Sequence, residues 1–167
     1  AQARAWLDDL GGQLDGVMAK RLDEPYRAGA RAMLKIKRIR TADCVVGGFR
    51  YLKDSRLVGS LLLGLYDDDG LLHHVGFTST IANADRAALT ARLEAVAGDG
   101  GFTGRAPGGP SRWSTERTGQ WVALRPQLVV EVRFDHVTDD RMRHGARLVR
   151  WRPDKRPDQC RMEQIRA

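Results

Sequence analysis

A mainly β fold in two parts is predicted by three features of these 167 residues. Three β-prone runs, at 41–51, 59–66 and 71–77, follow one another with only short polar breaks. A single stretch of helical spacing at 83–96 interrupts the series, after which strand-like patterns return. The first forty residues hold two short strand patterns and too little apolar material to close a core, so they read as the tail of a larger domain.

Taken in order, residues 4–10 set Trp6, Leu7 and Leu10 on one side of a short helix that Gly11-Gly12 ends. Residues 14–20 read as a strand, and 22–31, with Pro25 and Gly29, as a loop. In 32–39, Met33, Lys35 and Lys37 alternate with Leu34, Ile36 and Arg38, the period of a second strand. Asp67-Asp68-Asp69-Gly70 makes a tight hairpin turn between the second and third of the later runs. Within 83–96, Ala84, Ala87, Ala88, Leu89, Leu93 and Val96 recur at helical spacing, and Gly98 stops the helix. Residues 98–110 form a loop, 121–137 supply two strands split near Arg125-Pro126, and 146–151 give the last. Three strands, a helix and then further strands is the order of an OB-fold, whose helix plugs the barrel between its third and fourth strands. The domain boundary is placed at 1–40 and 41–167.

The composition, 42% hydrophobic and 29% charged, is that of a globular chain. No apolar run approaches the roughly 20 residues of a membrane helix, and no basic-then-apolar leader opens the sequence. A cytoplasmic protein without membrane contact is therefore expected. The net charge of +7 favours a polyanionic partner and salt-sensitive binding. That charge is concentrated: residues 141–156 carry seven Arg or Lys against the single acid Asp154. Cys44 and Cys160 have no metal-ligand spacing, and Cys44, in an apolar run, reads as a buried free thiol. His73 and His74 are adjacent on a strand, point to opposite faces and cannot share one ion.

Chemistry gathers in three short segments. Lys35 and Lys37, one residue apart on a strand, direct two ammonium groups to one side, where an anion between them relieves their repulsion. Upstream lies Asp15-Gly16-Val17-Met18, with a carboxylate able to serve the metal that accompanies a phosphate. Near the end, Arg150-Trp151-Arg152-Pro153-Asp154-Lys155 sets a guanidinium and an ammonium around one acid.

In this order, Asp15-Gly16-Val17-Met18, Met33-Leu34-Lys35-Ile36-Lys37-Arg38 and the Arg150–Lys155 segment resemble motifs IV, V and VI, the last three nucleotidyltransferase motifs of ATP-dependent DNA ligases. Asp15 departs from the Glu usual in motif IV and shortens its reach by one methylene. Thr41-Ala42-Asp43-Cys44-Val45-Val46-Gly47-Gly48, Gly59-Ser60-Leu61-Leu62-Leu63-Gly64 and Val130-Glu131-Val132-Arg133-Phe134 look like the OB domain of small bacterial members of the ligase C type, which is linked to DNA repair. The resemblance thus covers essentially the whole chain. It implies the last strands of a nucleotidyltransferase (adenylylation) domain followed by an OB-fold domain.

The resemblance further implies an enzyme that uses ATP and Mg2+ to seal nicks in double-stranded DNA through an enzyme-bound AMP. Asp15 would serve the metal, Met18 would pack on adenine, and Lys35 and Lys37 would neutralise the AMP phosphate. Arg152 and Lys155 would orient the departing pyrophosphate, with Asp154 holding one of them in place. Arg27, Arg31, Arg38 and Arg40 flank the early motifs and are expected to contact DNA phosphates. Residues 38–42 would be the hinge on which the OB domain turns. The adenylylated lysine of Lys-x-Asp-Gly is absent, since Gln13-Leu14-Asp15-Gly16 has Gln in its place. Alone, the chain is expected not to seal DNA, and its partner is an upstream adenylylation domain, in cis or in trans, in a monomeric enzyme. Two other readings stand beside this one: a non-catalytic OB-fold module that binds DNA, and a fragment of an RNA ligase or capping enzyme.

Overall fold

The computed structural model describes residues 16–30, 32–108 and 120–166. The expected helix at 4–10, the metal carboxylate Asp15 and the arginine Arg31 lie outside those residues. The chain divides into two compact units, Ala1–Arg40 and Thr41–Ala167.

The described part of the first unit is a hairpin. Strand β1 (Gly16–Lys20) pairs antiparallel with β2 (Met33–Lys37), with Gly16 opposite Lys37, Met18 opposite Lys35 and Lys20 opposite Met33. Gly16 is required by this pairing, because a Cβ there would collide with the carbonyl oxygen of Ile36. In the connection, Arg21 pairs with Asp23 at 2.6 Å on the surface, a contact worth little in water.

The second unit is a barrel. Strands β3 (Arg40–Tyr51), β4 (Val58–Tyr66) and β5 (Leu72–Thr78) form an antiparallel meander. The helix α1 (Arg86–Glu94) follows, preceded by a 3-10 turn at Asn83–Asp85. After it come β6 (Val122–Ala123), β7 (Val129–Phe134), the small ribbon β8 (Val137–Thr138) and β9 (Arg141–Met142), and β10 (Arg147–Trp151). The main sheet runs β10-β7-β3-β4-β5, with β6 beside β3. It curls round until Ala146, just before β10, bridges in parallel to Thr78 and donates its N–H to the Phe77 carbonyl at 2.8 Å. Closure in that order is the OB-like topology that the order of strand and helix patterns predicts.

Val45, Phe49, Leu61, Leu63, Val75, Val130 and Val132 fill the interior, and Leu89 and Leu93 of α1 close one end. Burying side chains of this size stabilises by roughly 1.5–3 kcal/mol each. The helix is also tied to the start of β4, since the Val58 N–H donates to Thr90 Oγ1 at 2.8 Å. Strand β3 is buried without alternation from Ala42 to Phe49 because both of its faces are covered. Outside, Phe102 and Trp121 lie across Gly47 and Gly48, where a Cβ would sit 2.7 Å and 2.6 Å from their rings.

Pro126 falls in the break between β6 and β7, as the sequence suggests, but the first of these strands has only two residues. The β8–β9 ribbon was not anticipated, and neither was α2 (Glu163–Arg166), whose Ile165, with neighbouring Met162, is buried against the barrel. Cys44 and Cys160 are both buried and free. Among the described residues no helix is long and apolar enough to cross a membrane.

Candidate functional site

The sequence-predicted residues fall into two groups, one on each unit. In the hairpin, directly opposed residues of an antiparallel pair project to the same face, and every second residue joins them. Gly16, Met18 and Lys20 of β1 therefore share a face with Met33, Lys35 and Lys37 of β2. Met18, Lys35 and Lys37 are exposed. The result is a flat thioether surface beside a row of ammonium groups, suited to an aromatic ring joined to a phosphate. Lys20 belongs to this face as well and was not singled out in the sequence, although its alternation with Met18 places it there. Arg27 and Arg38 are exposed in the connections that follow β1 and β2, and Arg40 is half-buried at the start of β3.

The second group sits where the barrel's last strand ends. Strand β10 leaves the sheet with the Arg152 N–H bonded to the Val129 carbonyl at 2.9 Å. The Lys155 N–H then donates back to the Arg152 carbonyl at 3.2 Å, closing a four-residue turn with Pro153 at its second position, where a fixed φ is favourable. The turn brings the side chains of its first and fourth residues together. Arg152 Nη1 donates to Asp43 Oδ1 at 2.9 Å, and Lys155 Nζ donates to Asp43 Oδ2 at 2.7 Å. Arg152 also grips Asp154 through Nε at 3.0 Å and Nη2 at 2.9 Å.

Glu131 on β7 completes the cluster, 2.6 Å from Arg150 and 3.8 Å from Arg152. The Arg92 guanidinium of α1 lies over the Trp151 ring, 4.4 Å from its centre. The hydrogen bonds from Arg152 pull the Asp154 carboxyl down to about 2 and raise the Arg152 guanidinium, so both stay charged at any working pH. Asp154 thus pairs with Arg152 in the turn. Asp43 and Glu131 were not expected as partners. A lone acid inside the apolar run Ala42-Asp43-Cys44-Val45-Val46 is the signal that would have found the first.

The histidine pair lies elsewhere on the barrel. The Arg105 backbone N–H donates to His73 Nδ1 at 3.0 Å, so Nε2 carries the proton that faces Asp67 Oδ2 at 2.6 Å. His74 is buried and accepts from Arg141 at Nδ1, 3.2 Å away. Burial, with Arg141, Arg50 and Arg105 nearby, lowers its pKa to about 3 and keeps it neutral.

Known proteins resemble this chain over nearly its full length. The family described as "ATP dependent DNA ligase C terminal region" matches residues 54–155. DNA ligase C1 of Mycolicibacterium smegmatis is 43% identical, over 96% of this chain and 47% of its own length. DNA ligase C of Mycobacterium tuberculosis is 40% identical, over 99% of this chain and 50% of its own. Among solved structures, the ligase domain of M. tuberculosis LigD superposes with a TM-score of 0.63 at 31% identity, covering 87% of this chain and 47% of that one. A mycobacterial DNA ligase D complexed with ATP and MES gives a TM-score of 0.55 at 30% identity, over 86% and 45%. The chain spans about half the length of the curated relatives it matches.

Proposed function

Because this chain belongs to the family of ATP-dependent DNA ligase C-terminal regions, we propose that it is the motif IV–VI half of an enzyme that seals nicks in double-stranded DNA. The half upstream would supply the lysine. That lysine's nitrogen attacks the α-phosphorus of ATP, the N–P bond forms, and pyrophosphate leaves with the electron pair of the broken P–O bond. AMP then passes to the 5′-phosphate of the nick, and the 3′-hydroxyl displaces it.

The observation that carries this reading is the β1–β2 register, which sets Met18 directly across from Lys35 with Lys37 two residues along the same face. Met18 packs on adenine while Lys35 and Lys37 neutralise the α-phosphate. The lysines also withdraw charge from phosphorus as the nucleophile approaches. Arg152 and Lys155 act on the leaving pyrophosphate, and Asp154 keeps Arg152 extended toward it. Magnesium commonly takes one or two carboxylates and completes its shell with phosphate oxygens and water. Asp15 would hold it, and the ion would neutralise phosphate charge when bound. Arg27, Arg31, Arg38 and Arg40 hold the duplex by its phosphates, so binding falls with salt without depending on base sequence. Residues 1–40 finish the adenylylation domain, 41–167 form the OB domain, and 38–42 are the hinge between the two poses that adenylylation and sealing need. The whole enzyme is a cytoplasmic monomer of DNA repair.

Intact-mass measurement after incubation with ATP and magnesium tests the division of labour. The expected result is no adduct on this chain alone, and an AMP adduct on the upstream segment only when this chain is added. An adduct on this chain alone would place the nucleophile here and overturn the reading. No adduct on either, with DNA binding retained, would leave a binding module in its place.

A further inference from the structure

We infer that Asp43 is a positioning residue for adenylylation, holding Arg152 and Lys155 in the one arrangement from which both can reach the departing pyrophosphate. The inference rests on the reading of Arg152 and Lys155 given above. Asp43 is only 9% exposed, in a strand whose neighbours Ala42, Cys44, Val45 and Val46 are all buried. A carboxylate in such a place is costly unless its charge is met, and here each oxygen meets a different cation, at 2.9 Å and 2.7 Å.

The carboxylate is also fixed at its root. Gln164 accepts from the Asp43 N–H at 2.9 Å through Oε1 and donates to the Asp43 carbonyl at 3.1 Å through Nε2. The short helix α2 thus works as a brace on the residue that aims the turn. With its backbone held, Asp43 offers its carboxylate from a fixed root, and both cations meet it there.

Charge counting separates aiming from mere attraction. Arg150, Arg152 and Lys155 stand against Glu131, Asp43 and Asp154, three cations and three carboxylates within one set of ion pairs. A cluster so balanced draws a polyphosphate weakly through its net field; what it offers is direction. Arg152 has five N–H groups. One on Nη1 goes to Asp43, while Nε and one on Nη2 go to Asp154, leaving two for a ligand. Lys155 gives one of its three donors to Asp43. Arg152 would keep its grip on Asp154 without Asp43. Lys155 would not keep its place, because Asp43 is the only carboxylate it pairs with among the described residues.

The test uses the complete ligase polypeptide and follows two steps separately: self-adenylylation with ATP, and sealing of a nick already carrying 5′-AMP, which needs no pyrophosphate departure. Asp43→Asn keeps the size and removes the charge. It is expected to slow adenylylation at saturating ATP at least tenfold, with a smaller change in KM for ATP, and to leave sealing of the pre-adenylylated nick within twofold. A residue that merely stabilises the barrel would depress both steps together. Gln164→Leu removes the brace without touching a charge and is expected to lower adenylylation alone, by a few-fold. Should Asp43→Asn fail to fold, unchanged adenylylation in Gln164→Leu would overturn the inference. Arg152→Ala in the same assay separates the two claims. If it adenylylates normally, the reading of the turn itself fails. If it is impaired while Asp43→Asn is not, only the role of Asp43 falls.

Discussion

Acid should destabilise this barrel through one side chain, His74. It is 5% exposed, its Nδ1 accepts from Arg141, and its Nε2 meets no hydrogen-bond partner among the described residues. Burial foremost, then the charges of Arg141, Arg50 and Arg105, lower its pKa from 6.5 to about 3. A folded pKa below the unfolded one means that the unfolded chain takes up a proton the folded chain refuses. Stability is therefore complete above pH 6.5 and is lost as the pH falls from there toward 3. At pH 5, about 1.5 pH units below the unfolded value, the loss at about 1.4 kcal/mol per unit comes to about 2 kcal/mol. In a chain of this length that is a drop in Tm of about 4–8 °C. The assay is urea unfolding followed by tryptophan fluorescence at pH 7.5 and pH 5, on the wild type and on His74→Asn, which keeps an acceptor near Arg141. The variant starts from its own stability, so only the change between the two pH values matters. It should lose about 2 kcal/mol less than the wild type over that interval. Parallel losses in the two proteins would refute the assignment of the acid sensitivity to a buried neutral histidine.

Two further outcomes follow from packing. Gly48→Ala places a methyl 2.6 Å from the Trp121 ring and 2.8 Å from the Val122 carbonyl, and should cost about 1–3 kcal/mol in urea unfolding; an unchanged midpoint would show that the Trp121 layer is not seated on β3. Burial raises the Cys44 thiol far above its ordinary range and the Cys160 thiol to about 12, so neither should react with Ellman's reagent at pH 8 faster than the barrel opens. Rapid labelling of either thiol in the native protein would contradict its burial.

The barrel was legible because its signals are local. The turn at Asp67–Gly70, the helical spacing around Leu89 and Leu93, and the proline break at Pro126 each act over a few residues, and each falls where the structure has a hairpin, a helix or a gap between strands. The run from Cys44 to Phe49 lacks polar alternation, the mark of a strand covered on both faces, but only the burial of the Cys44 thiol was read from it. What covers that strand on the outside was not legible. Phe102 and Trp121 come from segments 50 or more residues away, and nothing in their surroundings marks them as a lid on Gly47 and Gly48. The same holds for α2, four residues long, whose buried Ile165 gives too short a pattern to distinguish from an irregular tail.

The candidate site divides in the same way, and the division has a physical cause. Met18, Lys35 and Lys37 share a face because strands alternate, so their grouping follows from spacing plus one hairpin register. Arg152 and Lys155 meet because a four-residue turn with proline at its second position brings its ends together. Both facts are local, one written over a single hairpin and the other over a four-residue turn. Asp43 is different: its two cations lie 109 and 112 residues further on, and its brace, Gln164, lies 121 residues away. No local pattern specifies a contact closed only when β10 returns beside β7 and the tail folds back over β3. An isolated acid in an apolar strand is the trace such a contact leaves in sequence. A carboxylate cannot stay there unpaired, so the right question at Asp43 was which cation comes to it. The basic run from Arg141 to Arg156 was the place to look. Read together, the two anomalies predict each other: a cation-rich terminal strand needs an anchor to be aimed, and a buried acid needs cations to be stable. That mutual requirement is why losing the Asp43 charge should disturb the aim of Lys155 before it disturbs the fold of the barrel.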